Sequence, residues 1–146
     1  VLVRNILPSA RQRLQSIDVG AALLQAARRL DDGCDMLVVC DDAGRLAGVL
    51  TKTDVVRQTG RCSGASCTAP VVGAMTREVT AVTADGWLQE VWEVMKTRGF
   101  KNIPIIDAEG KPLGVLNARD VLQTLLQEVR EEERLLYDYA MNIGYR

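Results

Sequence analysis

The chain of 146 residues contains no histidine. That absence excludes a Ser-His-Asp triad, a Cys-His pair, a histidine general base and any zinc site that needs an imidazole. Neither sign of charge is in excess. There are 18 basic residues against 19 acidic ones, for a net charge of −1. Such a balance gives no electrostatic footprint for nucleic acid or for an anionic membrane. Long apolar runs are missing too. Met36-Leu37-Val38-Val39-Cys40 is representative, far short of the roughly 20 residues of a membrane helix. The first residue is Val1, and the residues present show no basic start followed by an apolar run. The expectation from these absences is a soluble, cytoplasmic protein.

What remains is an ordinary globular composition, 47% hydrophobic and 25% charged, with room for a core without staples. Four cysteines are present. Cys34 and Cys40 border the apolar run above, where cysteine serves as a small hydrophobe. Cys62 and Cys67 sit in a small-residue loop, Arg61-Cys62-Ser63-Gly64-Ala65-Ser66-Cys67-Thr68. They read as two reduced loop thiols, with a disulfide, redox or metal role as the alternative. Their spacing is not that of a zinc or thioredoxin motif.

The chain repeats itself. The stretch from Cys40 to Val55 aligns with Ile106 to Val121 at a constant offset of 66 residues. Asp41/Asp107, Gly44/Gly110, Gly48/Gly114, Val49/Val115, Leu50/Leu116 and Asp54/Asp120 are identical pairs. Upstream the offset becomes 65: Leu23, Ala26, Ala27 and Leu30 match Leu88, Val91, Trp92 and Met95. The spacing i, i+3, i+4, i+7 marks one apolar helical face in both copies.

Each copy predicts the same order of elements. An extended piece comes first, at Leu14 to Ile17 and at Val79 to Thr83. A helix follows, about Ala21 to Asp31 and Gly86 to Thr97. Then comes a hairpin of Met36 to Cys40 with Leu46 to Leu50, and of Asn102 to Ile106 with Leu113 to Leu116. The hairpin loops place Gly44 and Gly110 where a positive φ is expected. A last helix opens at Thr51 and at Asn117. The expected fold is therefore α+β, with two β-α-β-β-α units and an extended C-terminal helix. The boundaries are 1–60 for the first unit, 61–70 for a linker, 71–127 for the second unit and 128–146 for a helical tail. Units of roughly 55–65 residues bury little core alone, so the two should pack together.

The sharpest local signal is Gly48-Val49-Leu50-Thr51-Lys52-Thr53-Asp54. Its plain reading is a capping box, with Thr51 as N-cap and Asp54 reaching back. Asn117 with Asp120 offers the same arrangement. Capping leaves room for binding, because a helix start is an anion site, and a carboxylate one turn in can accept both hydrogen bonds of a ribose diol. Gly48 and Gly114 allow close backbone packing in the preceding strands.

The doubled unit, its strand-turn-strand pattern and the repeated Gly-h-x-Thr-x-x-Asp motif resemble a tandem pair of CBS domains, a Bateman module. The resemblance runs from about Val3 to Leu126. Gly73-Ala74-Met75-Thr76 is similar to the segment that leads into the second unit of such modules, and Ile103-Pro104-Ile105-Ile106-Asp107 to their second strand. It implies two units related by a pseudo-two-fold axis. It implies an adenosine-containing ligand such as AMP, ADP, ATP, NAD or S-adenosylmethionine in two clefts between them. Carried over, cleft one combines Thr51 and Asp54 with Val79, Phe100, Lys101, Asn102 and Pro104. In it Asp54 would hold the ribose, Thr51 a phosphate and Lys101 a positive charge. Cleft two combines Asn117 and Asp120 with Gln15, Cys34, Asp35 and Leu37. The clefts should be unequal. Asn117 stands where Thr or Ser is usual, and Asp35 where cleft one has Lys101; a carboxylate near a phosphate costs about 1 kcal/mol even in water-like surroundings, which Arg119 would offset in part.

The last helix should run past the module. Val121, Leu122, Leu125, Leu126 and Val129 form an apolar face, residues 128–134 a solvated charged stretch, and Leu135, Leu136, Tyr139 and Ile143 resume the pattern. The resemblance implies a homodimer through CBS-CBS packing, which this helix would assist; Trp87 and Trp92 would lie at that interface or in the core. The leading expectation is a regulatory module that binds an adenine nucleotide and signals to a separate, unknown partner protein. The alternatives are a redox or metal-responsive module through Cys62 and Cys67, and a structural dimer with empty clefts. An enzyme is disfavoured because no nucleophile has an assignable base. No catalytic cofactor, metal, nucleic acid or membrane contact is expected.

Overall fold

A computed structural model describes residues 1–61 and 69–144, with side chains to residue 142. Cys62 and Cys67 lie outside the described residues, as do most of the expected linker and the side chain of Ile143. The chain opens with a 3-10 turn, Val3–Ile6, and helix α1, Leu7–Arg13. The first unit follows as β1 (Ser16–Asp18), α2 (Leu23–Asp31), β2 (Leu37–Cys40), β3 (Leu46–Leu50) and α3 (Lys52–Arg61). After a 3-10 turn at Val71–Gly73, the second unit has α4 (Leu88–Arg98), β4 (Asn102–Ile106), β5 (Pro112–Asn117) and α5 (Ala118–Gly144).

Strand β2 pairs parallel with β1 and antiparallel with β3. In the second unit β4 pairs antiparallel with β5. Both hairpins turn on an aspartate. Oδ1 of Asp41 accepts the amides of Ala43 and Arg45, and Oδ1 of Asp107 those of Glu109 and Lys111, all at 2.9 Å. Gly44 and Gly110 take φ of 79° and 82°, a region that L side chains avoid.

One expected element is reduced. The extended piece at Val79 to Thr83 pairs through a single parallel bridge, Val82 to Ile105. The cause is Pro104. In the first unit the amide of Val38 donates to the Gln15 carbonyl at 2.8 Å. Pro104 holds the equivalent position and has no N–H to give. Only the bonds on either side of Val82 remain, from Val82 N–H to the Pro104 carbonyl (3.0 Å) and from Ile106 N–H to the Val82 carbonyl (2.9 Å).

The units exchange their leading segments. Val3, Ile6 and Ala10 lie at the start of the first unit, ahead of β1, yet they are buried in the second unit's core with Leu88, Met95, Ile103, Ile105 and Val121. Val71 opens the second unit and is buried in the first, with Leu23, Leu30, Leu37 and Leu50. Ile6 and Val71 are related by the same 65-residue offset as the helices. Met36, just ahead of β2, and Val38 of β2 meet Val115 of β5 in a third cluster that joins the units. The glycines make this crossing possible. A Cβ on Gly114 would stand 2.8 Å from the backbone carbon of Ala10, and one on Gly48 would stand 2.6 Å from the Thr76 carbonyl.

Helix α5 is continuous for 27 residues, about 40 Å at 1.5 Å per residue. Its first turns bury Val121 and pack Leu125 on the core. Beyond them Leu126, Val129, Leu135, Leu136, Tyr137 and Tyr139 are exposed. Trp87, at the start of α4, is also exposed, while Trp92 packs against the second core. Among the described residues no helix is long and apolar enough to cross a membrane.

Candidate functional site

Thr51 lies between β3 and α3, and Asp54 sits in the first turn of α3. The carboxylate reaches back, accepting the Thr51 amide on Oδ2 at 2.9 Å. The Thr51 hydroxyl donates to the same oxygen at 3.2 Å, so it serves the carboxylate in this geometry. Oδ1 accepts the Thr76 hydroxyl at 2.9 Å and Nη1 of Arg57 at 3.1 Å. Four donors approach the roughly four lone-pair sites of a carboxylate. Asp54 is only 4% exposed.

Beside this helix start lies cleft one, a cavity of about 560 Å³. That volume falls in the range of small-molecule sites, about 300–1,000 Å³. Thr51, Val79, Phe100, Lys101, Asn102 and Pro104 all line it, so residues from both units meet there. Asp54 does not reach the wall itself; it is bonded to Thr51 and Thr76, which do. Residues not foreseen also line it: Lys52, Thr76, Glu78, Thr80, and Asp35 with Met36 from the first unit. Two cations, Lys52 and Lys101, thus face two anions, Asp35 and Glu78.

Cleft two is smaller, about 200 Å³. Gln15, Cys34 and Asp35 line it as expected, together with Arg13, Met36, Asn102 and Val115. Leu37 does not. It is fully buried in the first unit's core, because side chains alternate along β2 and the cleft-facing residue is its neighbour Met36. Asn117 and Asp120 stand beside the cleft, not in its wall. Asn117 caps α5, its Oδ1 accepting the Arg119 amide at 3.0 Å, and donates Nδ2–H to Oδ1 of Asn102 at 3.1 Å. Asp120 is held by Arg13, with Nη2 to Oδ1 at 3.1 Å and a close second contact from Nε to Oδ2. This hydrogen bonding raises the Arg13 pKa above its ordinary value, against the opposing effect of burial. The cation of cleft two is therefore Arg13; Arg119, expected to offset Asp35, is not on its wall.

Cys34 is buried and donates its thiol to the Met36 carbonyl at 3.3 Å. Burial pushes its pKa up, as it does for Cys40. A thiol held neutral is a poor nucleophile. No cluster of three or more metal-ligating side chains occurs among the described residues.

The CBS-domain family model matches the chain twice, over residues 3–60 and 71–127. An uncharacterized 17.7 kDa protein from the bps2 3′ region of Acidianus ambivalens is 29% identical over 118 residues, 80% of this chain and 70% of that one. The GMP reductase of Leishmania major is 37% identical over 93 residues, 62% of this chain; the matched part is only 18% of that enzyme's length. Among solved structures, CBSX2 in complex with AMP superposes with a TM-score of 0.73 at 23% identity, covering 86% of this chain and 96% of that one.

Proposed function

Because the chain belongs to the CBS-domain family, we propose that it is a regulatory module that binds an adenine nucleotide in cleft one. Residues 1–60 and 71–127 form its two units, 61–70 its linker and 128–146 its tail. The observation that carries this reading is the composition of the cleft wall. Thr51 of one unit and Val79, Phe100, Lys101 and Pro104 of the other face a single cavity. A ligand there touches both units, so it binds with different affinity as their orientation changes, which is what coupling requires. The likeness to an AMP-bound structure supports AMP as the first ligand to test, with ADP, ATP, NAD and S-adenosylmethionine as competitors.

In this reading Phe100 and Pro104 flank the base, the Asp54 carboxylate takes the ribose diol by exchanging its Thr76 or Arg57 bond, and Thr51 with Lys52 and Lys101 meets phosphate. The paired anions Asp35 and Glu78 favour one phosphate over three. The role is regulatory and not catalytic. Two copies of the chain associate through their CBS faces and the exposed side of α5, and a separate target protein reads the change. The test is a thermal-shift series with each ligand at millimolar concentration. Stabilisation by AMP that is lost in Asp54→Ala supports the reading; no stabilisation by any ligand leaves a structural dimer with empty clefts.

A further inference from the structure

The two clefts share a backbone plan, and they differ at one position besides Thr51/Asn117 and Lys101/Asp35 that bears directly on the motif aspartates. The 65-residue offset that matches α2 to α4 also matches Arg13 to Glu78. Both residues line their cleft. Glu78 cannot pair with a carboxylate, so the helix-start aspartate of cleft one is held by hydroxyls, an amide and the half-exposed Arg57. Arg13 can pair, and it takes both oxygens of Asp120.

We propose that Arg13 is an intramolecular latch on cleft two: a ribose diol at Asp120 would have to displace a two-bonded guanidinium, where at Asp54 it need displace only the single hydroxyl bond from Thr76, so the chain is restricted to one bound nucleoside. Three features fix the latch. The fork geometry of arginine matches a carboxylate with two parallel bonds. Helix α1, which carries Arg13, lies against β5 where Gly114 admits the Ala10 backbone, so the Arg13 backbone is held beside cleft two. The remaining cavity of about 200 Å³ is below the roughly 300 Å³ at which small-molecule sites begin.

This inference rests on the nucleotide reading above, but its readout is separate. The probe is adenosine, which carries the ribose diol and has no phosphate to be repelled by Asp35. Equilibrium dialysis at saturating adenosine counts sites per chain in the wild type, Arg13→Gln, Arg13→Lys and the Arg13→Gln/Asp54→Ala double variant. Arg13→Lys keeps the charge and the stem, and it serves if Arg13→Gln fails to fold. The expected counts are one for the wild type, two for each single variant and one for the double variant. A rise of one site on releasing Arg13 upholds the latch; no rise in either single variant, or a wild-type count of two, overturns it. A wild-type count of zero counts against the nucleotide reading of cleft one, and a rise from zero to one on releasing Arg13 still upholds the latch.

Discussion

Thr76 donates its hydroxyl to Oδ1 of Asp54 at 2.9 Å, so the entry to the second unit holds the helix start of the first. In the other direction Arg13, which ends α1 ahead of β1, grips Asp120 of the second unit. Each unit thus fixes the other's motif aspartate. The same pairing that assembles the module decides what its carboxylates have left to offer a ligand.

Asp54 is the more consequential of the two. Its removal leaves the Thr51 amide, the Thr76 hydroxyl and Arg57 without their acceptor. Unmet polar groups cost about 1–3 kcal/mol when buried. Asp54→Ala should lower the unfolding free energy measured by urea titration by an amount in that range and abolish AMP stabilisation. Asp120→Ala, whose partner Arg13 is partly exposed, should cost less stability and little AMP affinity. Equal losses in calorimetric titration, or a larger loss at Asp120, would reverse the ranking of the clefts.

The glycines at the crossing points make a second prediction. Gly114→Ala places a Cβ 2.8 Å from backbone of α1, and Gly48→Ala places one 2.6 Å from the Thr76 carbonyl. Backbone cannot rotate away as a side chain can, so each should cost about 1–3 kcal/mol. Gly73→Ala meets nothing within 4 Å and should stay within about 0.5 kcal/mol of the parent. Chemical denaturation of the three variants checks the contrast.

Pro104→Val should lengthen a strand. It restores the N–H that Val38 uses in the first unit, now facing the Thr80 carbonyl. Hydrogen exchange should slow at residues 82 and 106, and the new amide at residue 104 should be protected. An unchanged exchange pattern would mean that something other than the missing donor keeps Val82 to a single bridge.

Stability should fall at high pH. Burial raises the pKa of Cys34 and Cys40 from the ordinary 9.0. Above pH 9 the unfolded chain therefore loses these protons before the folded one does. The contribution is fully present below pH 9 and is lost as pH rises towards the folded values. In a Cys62→Ser/Cys67→Ser background, the urea midpoint should drop between pH 8 and 10.5. Adding Cys34→Ala and Cys40→Ala should flatten that drop.

Most of the fold was legible because it is written twice. The offset of 66 placed both hairpins, and the apolar spacing of Leu23, Ala26 and Leu30 placed α2 and, by repetition, α4. What escaped depends on single atoms or on the third dimension. Pro104 reads as a strand residue, but its missing N–H shortens the neighbouring strand, not its own. Leu37 was carried to the cleft by analogy, and the alternation along β2 turns Met36 there. The exchange of leading segments had a signal in Ile6 and Val71, two similar apolar residues at the same offset, but too few pairs surround them to mark a repeat. Arg13 and Glu78 share that offset while differing in charge, so similarity alone passes over the position where the clefts diverge.

The exposed side of α5 carries the last prediction. Leu136 is 68% exposed and lies one helical turn or so from Tyr139 and Glu133. An isolated helix end of this length is marginal in water, and a row of exposed Leu126, Val129, Leu136 and Tyr139 has a reason to exist only when covered. If a second copy covers it, Leu136→Glu removes burial worth about 1.5–3 kcal/mol from each chain and introduces two facing carboxylates. The dimer constant, measured by light scattering across a dilution series, should weaken by about 100-fold or more, since each 1.4 kcal/mol is tenfold. The thermal midpoint of the isolated module should change little, because the core packs only Val121, Leu125 and Ala118 from this helix. A dimer that survives the substitution would assign self-association to the CBS faces alone and leave α5 for the target protein.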